Sequence, residues 1–307
     1  MSEPPTTDRR AFDAREYRLA SVRIFLNRIN AEYGLVSRGF YAYTVLLVLF
    51  LWTPLVVVVF LSFAENPNAI FPFEGFTLRH YTGDWEGAIS GTGSRALLER
   101  LIRTTITSSQ VATVAASFAT VLGVLASFGV VRYRFAFRRL FVTVSILPLI
   151  IPGVVFGAAF FLLFNTFVDN STGFWPLVIA HTAYGFPFVF LAVTSRLVTF
   201  DTSLEECARD LGATIPEAFR DITFPIIRPA IIAGFLFAWI RSLEDFTRAL
   251  FISGTMNVIT TDMFSLISFG RTVPMNVVST LIFLLAAVII LIVMYLGRTP
   301  GPGPSGR

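Results

Sequence analysis

Long apolar runs alternate with short polar, Arg-containing intervals along most of the chain. A membrane-crossing helix needs about 20 mostly apolar residues, and six stretches meet that requirement: 41–63, 104–131, 140–164, 174–198, 229–253 and 276–297. Proline interrupts several of them, at Pro54, Pro148, Pro152 and Pro187. Bundles tolerate such breaks because neighbouring helices re-satisfy the freed backbone groups. The pattern predicts an all-α membrane protein with six transmembrane helices. Ahead of the first run, residues 12–36 (FDAREYRLASVRIFLNRINAEYGLV) place apolar positions at helical spacing with Arg between them. This reads either as an interfacial helix or as a basic tail. The expected organisation is a basic segment over 1–38, a six-span body over 39–297, and a Gly/Pro-rich tail over 298–307 that is expected to be disordered.

Composition narrows the chemistry. Charged residues make up 14% of the 307 positions, against about a quarter in soluble domains. All 24 basic residues are Arg. With no Lys, neither a Walker A phosphate loop nor a Lys Schiff base is possible, so any ATP must be bound by another subunit. One cysteine, Cys207, excludes an intrachain disulfide and a Cys-rich metal site. With only His80 and His181 as imidazoles, no metal site is expected.

The Arg residues flank apolar runs, which makes them a topology signal and not a nucleic-acid surface. Seven fall before the first run, four (Arg132, Arg134, Arg138, Arg139) between the second and third, and four (Arg196, Arg209, Arg220, Arg228) between the fourth and fifth. On the opposite side, residues 165–173 carry none and 254–275 only Arg271, although 64–103 carries Arg79, Arg95, Arg100 and Arg103. The bias predicts a multi-pass cell-membrane protein (inner or plasma membrane) with both termini in the cytoplasm.

One polar interval is unusual. Residues 205–225, EECARDLGATIPEAFRDITFP, have helix-forming residues on both sides of a glycine. Thr202 and Ser203 are candidate N-caps, and Glu205 and Glu206 fall in the first turn, where negative charge complements the helix dipole. Gly212 is a breaker, and Pro216 can open a second helix at its first position. Ala218, Phe219 and Ile222 share a face of that helix, which Pro225 and Pro229 are expected to end before the fifth span. A solvated loop has no need of an apolar face, so the element is expected to dock onto a partner.

Glu206-Cys207-Ala208, then Gly212, then Ile222, Phe224 and Pro225 resemble the EAA loop of ABC-type importer permeases. That pattern is E-A-A, three residues, G, nine residues, I-x-L-P, and only Cys207 and Phe224 depart from it. Two further stretches are similar to segments of these permeases: Phe73-Glu74-Gly75-Phe76-Thr77-Leu78-Arg79-His80-Tyr81 and Arg132-Tyr133-Arg134-Phe135. Residues 181–211 resemble the polyamine, opine, phosphonate and ferric iron group, and within it the spermidine/putrescine permeases. The resemblance implies a type I importer permease fold whose coupling helix, in a loop over 201–229, inserts into a groove on an ATPase. It assigns that coupling to Glu205, Glu206, Ala208, Gly212, Ile222 and Pro225. It also implies a second permease (a heterodimer), two ATPase subunits that carry ATP and Mg, and an external solute-binding protein. This chain itself would bind no cofactor and be no enzyme. Polyamine is the expected solute; ferric iron, thiamine, opine, phosphonate or sugar stay open. An intramembrane enzyme would need a nucleophile or paired His/Asp, and a stand-alone secondary transporter would show internal repeats; neither is visible.

Candidates for a substrate pathway lie in the fifth span, Arg241-Ser242-Leu243-Glu244-Asp245-Phe246-Thr247-Arg248. Charges inside a span are costly and usually face the bundle interior. Arg241 can reach Glu244 and Asp245 at i+3 and i+4, and Arg248 can reach both from the other side. Two readings stay open: an acidic patch for a cationic solute, or a self-neutralised cluster that holds the span. His181 and Tyr184 form a second polar pair, and an intramembrane His more often packs through a hydrogen bond than carries a proton. His80 is expected at the surface. Trp52, Trp85, Trp175 and Trp239 read mostly as anchors near span ends or, alternatively, as a box for amines. Gly153 and Gly157 have the spacing of a tight helix contact.

Overall fold

The structure, a computed structural model, describes residues 14–65, 74–82, 94–168, 172–269 and 272–296. The tail expected over 298–307, residues 1–13, Phe73, Trp85 and Arg271 lie outside the described residues. The chain divides into two compact units between Phe60 and Leu61.

The first unit carries most of α1 (Ala14–Ser62). This helix is continuous, so the expected boundary at 38/39 is not marked by a break. Within it Gly39–Ser62 is long and apolar enough to cross a membrane. Thr44 and Thr53 donate their hydroxyls to Phe40 and Leu49 carbonyls four residues back, which hides two polar groups within the helix itself.

The second unit is built from α2 (Ser94–Arg132), α3 (Arg138–Ile150), α4 (Gly153–Phe167), α5 (Phe174–Val198), α6 (Ser203–Asp210), α7 (Ile215–Ala218), α8 (Phe224–Leu243), α9 (Thr247–Ile252), α10 (Ile259–Ser268) and α11 (Thr272–Leu296). Helices α2, α5 and α8 form its centre around Ala116, Ala119, Val189, Val193, Leu197, Ile227 and Ala238. In lipid, helix association depends on close packing and interhelical hydrogen bonds, and both are present. Gly123 and Gly234 press against Val189, and Gly185 against Ala119 and Ala238. Ser127 of α2 donates to the Phe190 carbonyl of α5 at 3.0 Å and accepts from Thr194 at 3.1 Å.

Four helices among the described residues are individually long and apolar enough to span: Gly39–Ser62, Leu97–Arg132, Phe174–Val198 and Ile215–Leu243. The third predicted run is not one straight span but α3 and α4, which meet at 107°. Ile151 precedes Pro152 and takes extended geometry (φ −69°, ψ 127°). A residue before proline is pushed out of the helical region, and the proline has no N–H to continue the ladder. Counted as one, the pair makes a fifth span. The sixth run is covered by α11, one continuous helix over Thr272–Leu296.

The fifth run also departs from expectation at both ends. Pro225 and Pro229 do not terminate the helix before it. Helix α7 continues through a π turn over Phe219–Thr223 straight into α8, with Pro225 in the first turn of α8 and Pro229 inside it. Proline brings no N–H to the ladder, and the π turn immediately before Pro225 already interrupts the regular α-helical pattern at that point. At the far end the helix stops at Leu243 and resumes at Thr247.

The segment after α1 folds back on itself. Glu65 N–H donates to the Gly75 carbonyl at 2.9 Å and Thr77 N–H to Phe63 at 2.7 Å. His80, expected at the surface, is buried instead, its Nε2 2.9 Å from the Ala64 carbonyl.

Candidate functional site

The stretch expected to dock is two short helices joined at a glycine. Neither Thr202 nor Ser203 caps α6 as expected. The Asp201 carboxylate instead accepts the Ser203 N–H at 3.0 Å, and hydrogen bonds from Ser203 hold its pKa below the usual value. Gly212 has φ +95°, a conformation strained for any residue with a Cβ, and so allows the sharp reversal. Thr214 then opens α7, its N–H and hydroxyl donating to Glu217 Oε2 at 2.8 and 2.7 Å.

The two adjacent glutamates point differently. Glu206 is exposed, as are Cys207, Gly212 and Pro225, while Ala208 and Ile222 are half-buried. Glu205 turns inward, accepting from Arg132 at the end of α2 at 2.7 Å and from the Thr223 hydroxyl. The face expected for docking is partly used inside the protein. Ala218 is buried, and Phe219 packs its ring 5.7 Å from Phe128 of α2. The apolar side chains that point outward most are Leu211, 90% exposed, and Ile215, while Leu204 and Phe219 are each partly exposed.

All six pathway candidates come together around the break between α8 and α9, their four carboxylate and guanidinium groups sorted into two ion pairs that both reach Tyr184. Buried at the centre, Arg248 donates to Asp245 Oδ2 at 2.9 Å, and His181 Nε2 lies 3.3 Å from the same oxygen. His181 Nδ1 is 2.7 Å from Ser242 Oγ. The Asp245 Oδ1 atom accepts the Arg248 backbone N–H at 3.3 Å, so this carboxylate acts as the cap that lets the helix stop and restart. The Arg248 guanidinium carbon sits 3.4 Å from the Tyr184 ring centroid and 5.2 Å from that of Phe156. Nearer the surface, Arg241 pairs with Glu244 and donates to Tyr184 Oη at 2.8 Å. Arg241 therefore does not bridge both acids, and Arg248 does not either. Ser242, Phe156 and Thr260, which donates to the Asp245 carbonyl at 3.1 Å, complete the cluster. Ser242 stood within the charged run with no role to mark it, and the other two come from different helices. Gly153 and Gly157 do make the tight contact expected of them, with α4 lying against Thr247, Arg248 and Phe251 of α9.

Beside Glu244 opens a groove of about 380 Å³ lined by Thr105, Ser109, Trp239, Leu243, Thr260 and Met263 among others. Trp239 lies in the last part of α8, which ends at Leu243, and its Nε1–H donates to Thr113 Oγ1 of α2 at 3.0 Å. The groove offers one carboxylate, one indole, several hydroxyls and an apolar floor.

A helical membrane bundle with a broken third span, a glycine-hinged amphipathic loop and a largely apolar groove with one carboxylate beside a helix break is the architecture of a transport permease. Residues 119–299 match the family described as binding-protein-dependent transport system inner membrane component, and the chain belongs to that family. It is the permease subunit of an ABC importer, a transport subunit and not an enzyme, and it works with a partner permease, an ATPase and a binding protein. Among relatives, the spermidine/putrescine transport system permease protein PotC of Haemophilus influenzae is 28% identical over 81% of this chain and 92% of that protein. The putrescine transport system permease protein PotI of Escherichia coli K12 is 31% identical over 80% and 86%. A solved bacterial ABC transporter involved in import of the acidic polysaccharide alginate shares the fold, with a TM-score of 0.60 at 16% identity, covering 90% of this chain and 99% of that one.

Proposed function

We propose that the chain forms one side of the pathway of an ATP-driven polyamine importer. Its termini and residues 201–229 face the cytoplasm, it pairs with a different permease, and two ATPase subunits bind ATP and Mg. The exposed Glu206, with Leu204, Leu211 and Ile215 around it, docks on the ATPase, while Gly212 sets the reversal that presents them.

The observation that carries the polyamine reading is Glu244 and Trp239 lining one groove in a chain related to permeases named for putrescine and spermidine. A polyamine is a string of ammonium groups separated by methylenes. A carboxylate and an indole face both attract an ammonium, and the apolar floor suits the methylenes. The Arg241–Glu244 pair is half-exposed, and such pairs are weak. An incoming amine can take Arg241's place on Glu244 while Arg241 keeps its bond to Tyr184. Asp245, buried and shared by Arg248 and His181, has no such freedom. Of the two acids, Glu244 contacts substrate and Asp245 holds the break.

The test is ATPase activity of the purified complex in lipid with its binding protein, scanned against putrescine, spermidine, ferric ion, thiamine and a disaccharide. Stimulation by a polyamine that is lost in Glu244→Gln is the expected result. Stimulation by another solute alone would overturn the polyamine reading and leave the permease assignment standing.

A further inference from the structure

Glu205 and Glu206 are neighbours in sequence, yet only one of them is free to meet a partner. The Glu205 carboxylate lies inside the protein, with its side chain 23% exposed. One of its oxygens, Oε1, receives the Arg132 guanidinium at 2.7 Å and the Thr223 hydroxyl. Arg132 is the last residue of α2, and its guanidinium carbon stands 5.3 Å from the ring centroid of Phe200, just after α5. Thr223, fully buried, is the last residue of the π turn and leads directly into α8. A single oxygen thus connects α6 to the end of α2 and the start of α8, two of the three helices that form the centre of the bundle. Helix α6 has no buried residue of its own, so apolar packing does little to hold it. The Gly212 reversal leaves it further free on its other side.

We propose that Glu205 is a positioning residue for coupling: the Arg132–Glu205–Thr223 joint makes α6 move as one body with the end of α2 and the start of α8. A displacement imposed on the exposed side of α6 then reaches the bundle through this carboxylate. Charge-assisted bonds of this kind are stronger and more directional than neutral ones, as a joint under load requires. The π turn places Thr223 in register to contribute. This inference rests on the reading of 201–229 as the stretch that docks on the ATPase.

The experiment uses the whole complex in lipid, with Cys207→Ala and spin labels at Ser203→Cys on α6 and Tyr133→Cys beside Arg132. In the otherwise native complex the distance between labels stays the same with and without trapping by ATP and vanadate. In Glu205→Gln it differs between the two states, while the ATPase still co-purifies and hydrolyses ATP. Spermidine import per ATP then falls about ten-fold, within the usual range of coupling between sites. The charge-reversed pair Glu205→Arg with Arg132→Glu restores the constant distance, which neither single change does. Thr223→Val, which removes one of the two donors, serves if the Glu205→Gln chain does not fold into the membrane at all, and gives the same split in weaker form. A nucleotide-dependent distance in the native complex, or a constant one in Glu205→Gln or the Thr223→Val substitute, overturns the proposal. So does loss of ATPase co-purification in Glu205→Gln, which would make Glu205 a docking contact. The underlying docking reading fails separately, if Glu206→Ala and Leu211→Asp both leave ATPase co-purification unchanged.

Discussion

Arg248 donates to Asp245 at 2.9 Å with both side chains almost fully buried, 6% and 5% exposed. Removing one partner of a buried pair strands the other's charge and costs about 3–5 kcal/mol, whereas replacing both with apolar groups is often nearly neutral. Arg248→Met alone is therefore expected to lower the thermal stability of the purified protein more than the double change Asp245→Leu, Arg248→Met. Equal losses in single and double variants would show that the pair does not hold the α8–α9 break.

Gly212 presents a different kind of sensitivity. Its φ of +95° is unfavourable for a residue with a Cβ, although an added Cβ would meet no atom within 4 Å. The penalty for Gly212→Ala is then backbone strain alone, of order 1–2 kcal/mol. Amides of residues 211–214 are expected to exchange hydrogen faster in Gly212→Ala, with the centre of the α2–α5–α8 bundle unaffected. Unchanged exchange at 211–214 would mean that the turn has another conformation open to it.

Acid should loosen the same loop at a defined place. The Glu217 carboxylate is held below its ordinary value of 4.5, first by the Thr214 backbone N–H and then by its hydroxyl. A depressed folded-state value means the contribution is present above the unfolded value and is lost as pH falls through the folded one. Protection of the first turn of α7 is expected to hold from neutral pH down to 4.5 and to decline only below it. Glu217→Gln should show reduced protection at every pH with no such step. A decline that begins well above 4.5 would assign the effect to another group.

How much of this was legible in the sequence depended on how far apart the partners lie. The turn chemistry around Gly212 and the spacing from Glu206 to Pro225 are local, so both could be read directly. Which glutamate turns inward could not, because the answer depends on Arg132, 73 residues earlier. The charged run over 241–248 marks pathway candidates but not the break after Leu243, because the apolar pattern runs on to 253 as one span. Its division into a buried pair and an exposed pair required Tyr184 and His181 from α5. Pro152 announced a disturbance in the third span but not an angle of 107°. Proline at 225 and 229 suggested an ending that the π turn removed.

The partners of the three glycines in the central packing were hidden for the same reason: Gly123, Gly185 and Gly234 sit on α2, α5 and α8, so no spacing within one helix shows which residues they meet. Their energetics can be separated at Val189. A Cβ added at Gly123 would lie 2.8 Å from Val189 Cβ and 2.9 Å from its Cγ1, both side-chain atoms. One added at Gly234 would lie 2.9 Å from Val189 Cα, which no change of side chain removes. Overpacking of this kind costs about 1–3 kcal/mol. Both Gly123→Ala and Gly234→Ala should therefore lower thermal stability in detergent. In double-mutant cycles with Val189→Gly, the 123/189 pair should show a large favourable coupling and the 234/189 pair a much smaller one. Equal couplings would mean that the helices separate under the added methyl, and that close approach at Val189 is not what holds α2, α5 and α8 together.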